Sequence, residues 1–122
     1  MIEIESMETL EGKIEYLAKH YSKKNQIEKC KEELKELLVE LDNAIEINGE
    51  IVLPENTWSE VADVNIMTAQ LIIQNHRKDT VIEQMRYKLD RQIERIRSER
   101  RVSDYQEMIH ERILRTFLGG RS

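Results

Sequence analysis

Acidic side chains recur at helical spacing in two places along this 122-residue chain. At about 100° per residue, Glu33, Glu36 and Glu40 fall within an arc of roughly 60° on one helix, at the edge of its apolar stripe. Glu60 and Asp63 lie three apart on the next helix, where Asp63 stands between Ala62 and Val64 in an otherwise apolar segment. An ionised carboxylate in such a place is costly unless a cation or hydrogen-bond donors compensate it. Acids that converge from two neighbouring helices need a positive partner, and a hard divalent cation with oxygen ligands is the natural one. Each residue also has an ordinary structural use. Glu33, Glu36 and Glu40 could form a solvated face, Glu60 could close a capping box with Thr57, and Asp63 could pair with an arginine. The combination favours a metal site.

Charge is segregated along the chain in a way that suits a metal-bound polyanion. Residues 28–63 carry eleven acids against three bases, and residues 77–101 carry nine bases against five acids. On the later segment Lys88, Arg91 and Arg95 fall in a second arc of roughly 60° beside an apolar face. An acidic cluster holding Mg²⁺, opposed by a basic stripe, matches a polyphosphate. The metal would bridge its oxygens while lysine and arginine neutralise the rest. Taken singly, these bases could equally pair with acids one helical turn away.

The stretch Glu32-Glu33-Leu-Lys-Glu36, then 23 residues, then Glu60-Val-Ala-Asp63, resembles the EExxE…ExxD signature of the MazG-like nucleoside triphosphate pyrophosphohydrolases. Lys88-Leu-Asp-Arg91 resembles their K-x-x-R element, and the likeness spans roughly residues 10–97. It implies an all-α fold in which helices of two subunits complete a four-helix-bundle-type core. It also implies Mg²⁺-dependent hydrolysis of a nucleoside triphosphate to the monophosphate and pyrophosphate, with Mn²⁺ able to replace Mg²⁺. Glu33, Glu36, Glu60 and Asp63 would be the metal ligands, with Glu32 as a helper. Lys88 and Arg91 would hold phosphates, and Asn65, a polar residue in an apolar helix, could reach the nucleotide. A carboxylate would take a proton from the attacking water as pyrophosphate leaves in line. That base stays open among Glu32, Glu33 and Glu36.

The rest of the chain must position these groups. Apolar residues recur at helical spacing over about 7–21 and 26–47, before Asn48–Asn56 breaks the pattern as a connecting loop with Gly49 and Pro54. Thr57-Trp-Ser-Glu60 reads as the capping box of a third helix ending near His76, and Thr80-Val-Ile-Glu83 as that of a fourth. Ser103-Asp-Tyr-Gln106 could cap a fifth, ended by Gly119-Gly120. Residues 1–102 therefore form the helical domain and residues 103–122 a C-terminal helical extension. The third helix is apolar all round, which a chain this short can hardly surround, so a homodimer or homotetramer is expected.

Composition narrows the alternatives. Four Gly and one Pro leave little for the turns of a β-rich fold. Cys30 stands alone, which rules out an internal disulfide and fits a reducing, cytoplasmic setting. It falls on the apolar face of the second helix as a small buried hydrophobe. Trp58 suits core or interface packing better than stacking on a base. The acidic start does not read as a secretory signal, and no apolar run reaches the length of a membrane span. His20, His76 and His110 are too scattered for zinc. The net charge of −5 argues against nucleic acid as a partner. Two rivals to the hydrolase remain: a non-catalytic helical adaptor gripping a partner through residues 103–118, and a nucleic-acid regulator using the basic run 95–101.

Overall fold

A computed structural model describes residues 9–118. They form α1 (Leu10–His20), α2 (Lys23–Asp42), β1 (Ile45–Ile47), β2 (Glu50–Val52), α3 (Thr57–Gln74) and α4 (Lys78–Leu118). The fold is mostly helical, as composition and periodicity imply. The chain divides at Lys78 into two compact units, one holding α1 to α3 with the hairpin, the other formed by α4 from Asp79 onward.

Local chemistry sets the starts of the first two helices. Thr9 caps α1, its Oγ1 accepting from the Gly12 N–H at 2.9 Å. Ser22 caps α2 in the same way through the Asn25 N–H at 3.1 Å. Met7 and Gly119-Gly120, expected at the ends of the first and last helices, lie outside the described residues.

Several sequence expectations need correction. The second helix stops at Asp42, and residues 45–52, read as its end and a loop, are an antiparallel hairpin pairing Ile45 with Val52 and Ile47 with Glu50. Asn48 and Gly49 both have positive φ, at 51° and 82°, the backbone that a two-residue hairpin turn requires. Branched Ile45, Ile47, Ile51 and Val52 suit the flanking strands better than a helix.

The capping box at Thr57 does not form. Asn56 occupies the cap position in helical backbone without a side-chain cap bond, and Thr57 is already inside α3, its hydroxyl buried. At its other end α3 stops at Gln74, two residues short of expectation, with His76 in left-handed backbone at φ 52°.

The fourth and fifth helices are one element of 41 residues. Neither Thr80 nor Ser103 caps anything, because both lie inside it. Between Arg97 and Ser103 stands no Gly or Pro to break the helix, and Arg101 pairs with Glu94 two turns earlier on it. The domain boundary expected at 102/103 thus falls within a continuous helix.

Packing within the first unit departs from the apolar pattern of the sequence. The face α2 turns inward runs Gln26, Cys30, Glu33, Leu37 and Glu40, spaced by four and three. Cys30 is buried there, as expected. The more apolar stripe of Ile27, Leu34, Leu38 and Leu41 lies about 90° away around α2 and is exposed. Glutamines tie the layers together. Gln26 Nε2 donates to the Met67 carbonyl at 3.1 Å, and Gln74 Nε2 donates to the carbonyls of Ala18 and Tyr21, each at 2.9 Å. Among the described residues the buried apolar side chains are only Ala18 and Cys30.

Candidate functional site

Because α2 packs its polar inner face against α3, carboxylates from both helices meet. One oxygen from each of Glu33, Glu36 and Glu60 lies within 4.8 Å of the others. Glu33 is buried, Glu60 half-buried and Glu36 exposed, so the cluster opens to solvent on the Glu36 side.

Neighbours orient two of the three acids. Lys29 Nζ lies 3.2 Å from Glu33 Oε1 and 3.4 Å from Glu32 Oε2. Glu33 first, then Glu32, holds the Lys29 ammonium above its ordinary pKa. Asn56 Nδ2 sits 3.2 Å from Glu60 Oε1 and 3.2 Å from Glu40 Oε1, holding both from the start of α3. That contact is open to Glu60 because no capping box claims it. Yet Glu33 Oε2 and Glu60 Oε2 are both buried and, while Glu36 is ionised, have no hydrogen-bond partner. Two orphaned carboxylate oxygens beside a third acid form an all-oxygen donor set, which fits a hard divalent cation.

The repulsion within this cluster is felt at Glu36. The Glu33 carboxylate beside it, by hydrogen bonding and by charge, raises the Glu36 pKa, with burial and Glu60 adding to the effect. From the ordinary value of 4.5 up to the raised one, the folded chain keeps a proton that the unfolded chain has already lost. Stability without metal therefore falls as pH rises through that window. Replacing Glu36 with Gln is expected to flatten this slope and to raise the melting temperature at neutral pH in EDTA. Thermal melts between pH 4 and pH 7 check it, and a Glu36→Gln chain no more stable than the original at pH 7 would contradict it.

The other expected site residues are placed as follows. Asp63 is half-buried on α3, one turn beyond Glu60, and is not one of the three acids in mutual reach. Glu32 is exposed and engaged with Lys29. Asn65 is exposed on α3. Lys88 and Arg91 stand on α4 in the second unit, both exposed, with the Arg91 guanidinium carbon 5.4 Å from the Tyr87 ring centroid.

Set against known protein families, curated proteins and solved structures, the chain matches none. The residues themselves carry the functional argument.

The sequence reading missed Lys29, Asn56 and Gln70. Lys29 was legible as a base four residues before Glu33, the spacing of a helical ion pair. Gln70 was legible as a polar residue inside the apolar run of α3, the signal that singled out Asp63 and Asn65. Asn56 had no comparable signal, since it reaches the acids from a loop.

Proposed function

We propose that the chain is a Mg²⁺-dependent nucleoside triphosphate pyrophosphohydrolase that cleans or controls the cytoplasmic nucleotide pool, working as a homodimer or homotetramer. The observation that carries this reading is the pair of buried, unpartnered oxygens on Glu33 and Glu60 beside Glu36. Three acids so placed repel one another, and stability alone gives no reason to keep them.

When bound, Mg²⁺ would supply Lewis-acid polarisation of the phosphate oxygens. Glu33, Glu36 and Glu60 hold it, with Asp63 completing the set that the resemblance implies. Lys29 and Asn56 fix the orientation of Glu33 and Glu60 through their other oxygens. The base that accepts the proton of the attacking water is one of Glu32, Glu33 and Glu36, of which Glu36 has the raised proton affinity and the solvent access. Phosphate contacts are assigned to Lys88 and Arg91 on the resemblance alone, and a nucleotide contact to Asn65 as an exposed polar residue on the apolar α3.

Incubation with a panel of ribo- and deoxyribonucleoside triphosphates tests the proposal. Equal amounts of monophosphate and pyrophosphate are expected with Mg²⁺, none in EDTA, and restored turnover with Mn²⁺. If no triphosphate is hydrolysed, the reading fails.

A second reading, the helical adaptor, has one observation in its favour. Along α4 every described side chain except that of Val81 is exposed. At about 100° per residue, Ile82, Leu89, Ile93 and Ile96 form one apolar face, while Val102, Tyr105, Ile109 and Ile113 form another on roughly the opposite side. Two faces on one helix suit contacts with other chains. Among the described residues no helix is long and apolar enough to cross a membrane, so these faces are not a membrane span. A protein partner retained only when residues 103–118 are present, with no triphosphate turned over, would favour this reading.

A further inference from the structure

Beside the carboxylates, the first unit contains a cleft of about 610 Å³ whose lining includes Tyr21, Gln26, Lys29, Glu32, Met67 and Gln70. Gln70 is wholly buried, 0% exposed, and neither its Nε2 nor its Oε1 has a hydrogen-bond partner. An amide left so is expensive, because both a donor and an acceptor have lost water without replacement. Gln26, 2% exposed, spends its Nε2 on the Met67 carbonyl and also lines the cleft.

The class of ligand follows from what would satisfy Gln70. A hydrocarbon would leave both amide atoms unpaired. A simple anion would serve only Nε2, and a cation only Oε1. A planar edge presenting a donor next to an acceptor serves both, and every common nucleobase carries such an edge. The volume lies within the range of pockets that hold small molecules. Tyr21 offers an aromatic surface at the cleft, and Met67 a polarisable one.

We propose that this cleft is a nucleobase site, with the buried Gln70 side chain turning into the cleft to read the hydrogen-bonding edge of the base. Lys29 joins the two sites, since it lines the cleft and pairs with Glu33 of the acidic cluster. A nucleotide seated with its base against Gln70 therefore has the carboxylates on its Lys29 side, where its phosphates would meet the metal. The assignment rests on reading that cluster as a metal–triphosphate centre. Nucleoside binding nevertheless tests it without any phosphate.

The experiment titrates the full chain with adenosine, guanosine, cytidine and uridine in EDTA, following side-chain amide resonances and affinity. At least one nucleoside is expected to bind and to shift the Gln70 amide. Gln70→Leu, which replaces the unpaired amide by an apolar side chain of similar size, is expected to weaken that binding about tenfold or more. Its Mg²⁺ affinity without nucleoside should stay within about twofold of the original. Absence of nucleoside binding to the unmodified chain, or equal binding by Gln70→Leu, overturns the proposal. So does a Gln70→Leu chain that changes only its oligomeric state, since Gln70 would then pair across a subunit contact. Nucleoside binding through Gln70 without triphosphate hydrolysis supports the cleft and refutes only the hydrolase.

Discussion

Replacing Glu60 with Gln is expected to lower kcat/KM for Mg²⁺-dependent triphosphate hydrolysis by roughly 100-fold or more, while leaving the metal-free protein at least as stable as before. The two effects have one cause. Gln keeps an oxygen that can accept from Asn56 Nδ2, now 3.2 Å from Glu60 Oε1, so the start of α3 is not disturbed. What disappears is a negative charge and the buried Oε2, which has no hydrogen-bond partner. Without metal that charge only repels Glu33 and Glu36, and losing it relieves the chain. With metal it is a ligand, and losing it weakens the hold on Mg²⁺. The melting temperature should therefore rise with Mg²⁺ in the original chain, by an amount equivalent to about 2.7 kcal/mol at 100 times the dissociation constant, and hardly at all in the Glu60→Gln chain. Steady-state kinetics and paired melts in Mg²⁺ and EDTA provide the check. Unchanged kinetics, or an equal Mg²⁺ effect in both chains, would remove Glu60 from the metal site. The same comparison with Asp63→Asn decides whether the fourth acid of the signature acts with the three that meet.

How far the sequence predicts the fold depends on which physical signal each element carries. The apolar period placed α1, α2 and α3 to within a few residues, because a repeat near 3.6 marks a helix whichever of its sides packs inward. It failed at Ile45, where an apolar residue in step with α2 belongs to a strand. There the Asn48-Gly49 pair is the stronger signal, because it marks a two-residue hairpin turn and not merely a break in the helix. Thr57 and Ser103 show the limits of cap motifs. A Ser or Thr three residues before Glu or Gln occurs often, and it caps a helix only where the chain before it is extended. Asn56 is helical in backbone, and Ser103 lies deep inside α4. The acids fared better. Glu33, Glu36 and Glu60 were legible as a group, since spacing fixes a helical face. What spacing could not give was the inward direction of that face. The richer apolar stripe of α2 pointed to a different side, and only the packing of α3 reveals that Gln26 and Glu33 face inward.

That unpacked stripe leads to the second large effect. Leu38 is 57% exposed, Leu34 47% and Ile27 44%, on a unit whose buried apolar side chains are Ala18 and Cys30 alone among the described residues. A surface leucine touching nothing contributes within about 0.5 kcal/mol, so Leu38→Ala should be silent if this face stays in water. If a second copy covers it, as the proposed dimer requires, the same change should cost about 2–5 kcal/mol, the usual range for a covered leucine. Leu38→Lys should then also drive dissociation, because a lysine charge would enter the contact. The proposed assembly predicts the costly outcome. The original chain should sediment at twice its 14.5 kDa mass or more, and its melting temperature should rise with protein concentration. The Leu38→Lys chain should sediment as a monomer and lose that concentration dependence. An original chain that sediments at 14.5 kDa, with a silent Leu38→Ala, would leave the exposed stripe without a partner and withdraw the assembly from the functional proposal. The acidic cluster would be untouched by that result, since Glu33, Glu36 and Glu60 all come from α2 and α3 of one chain.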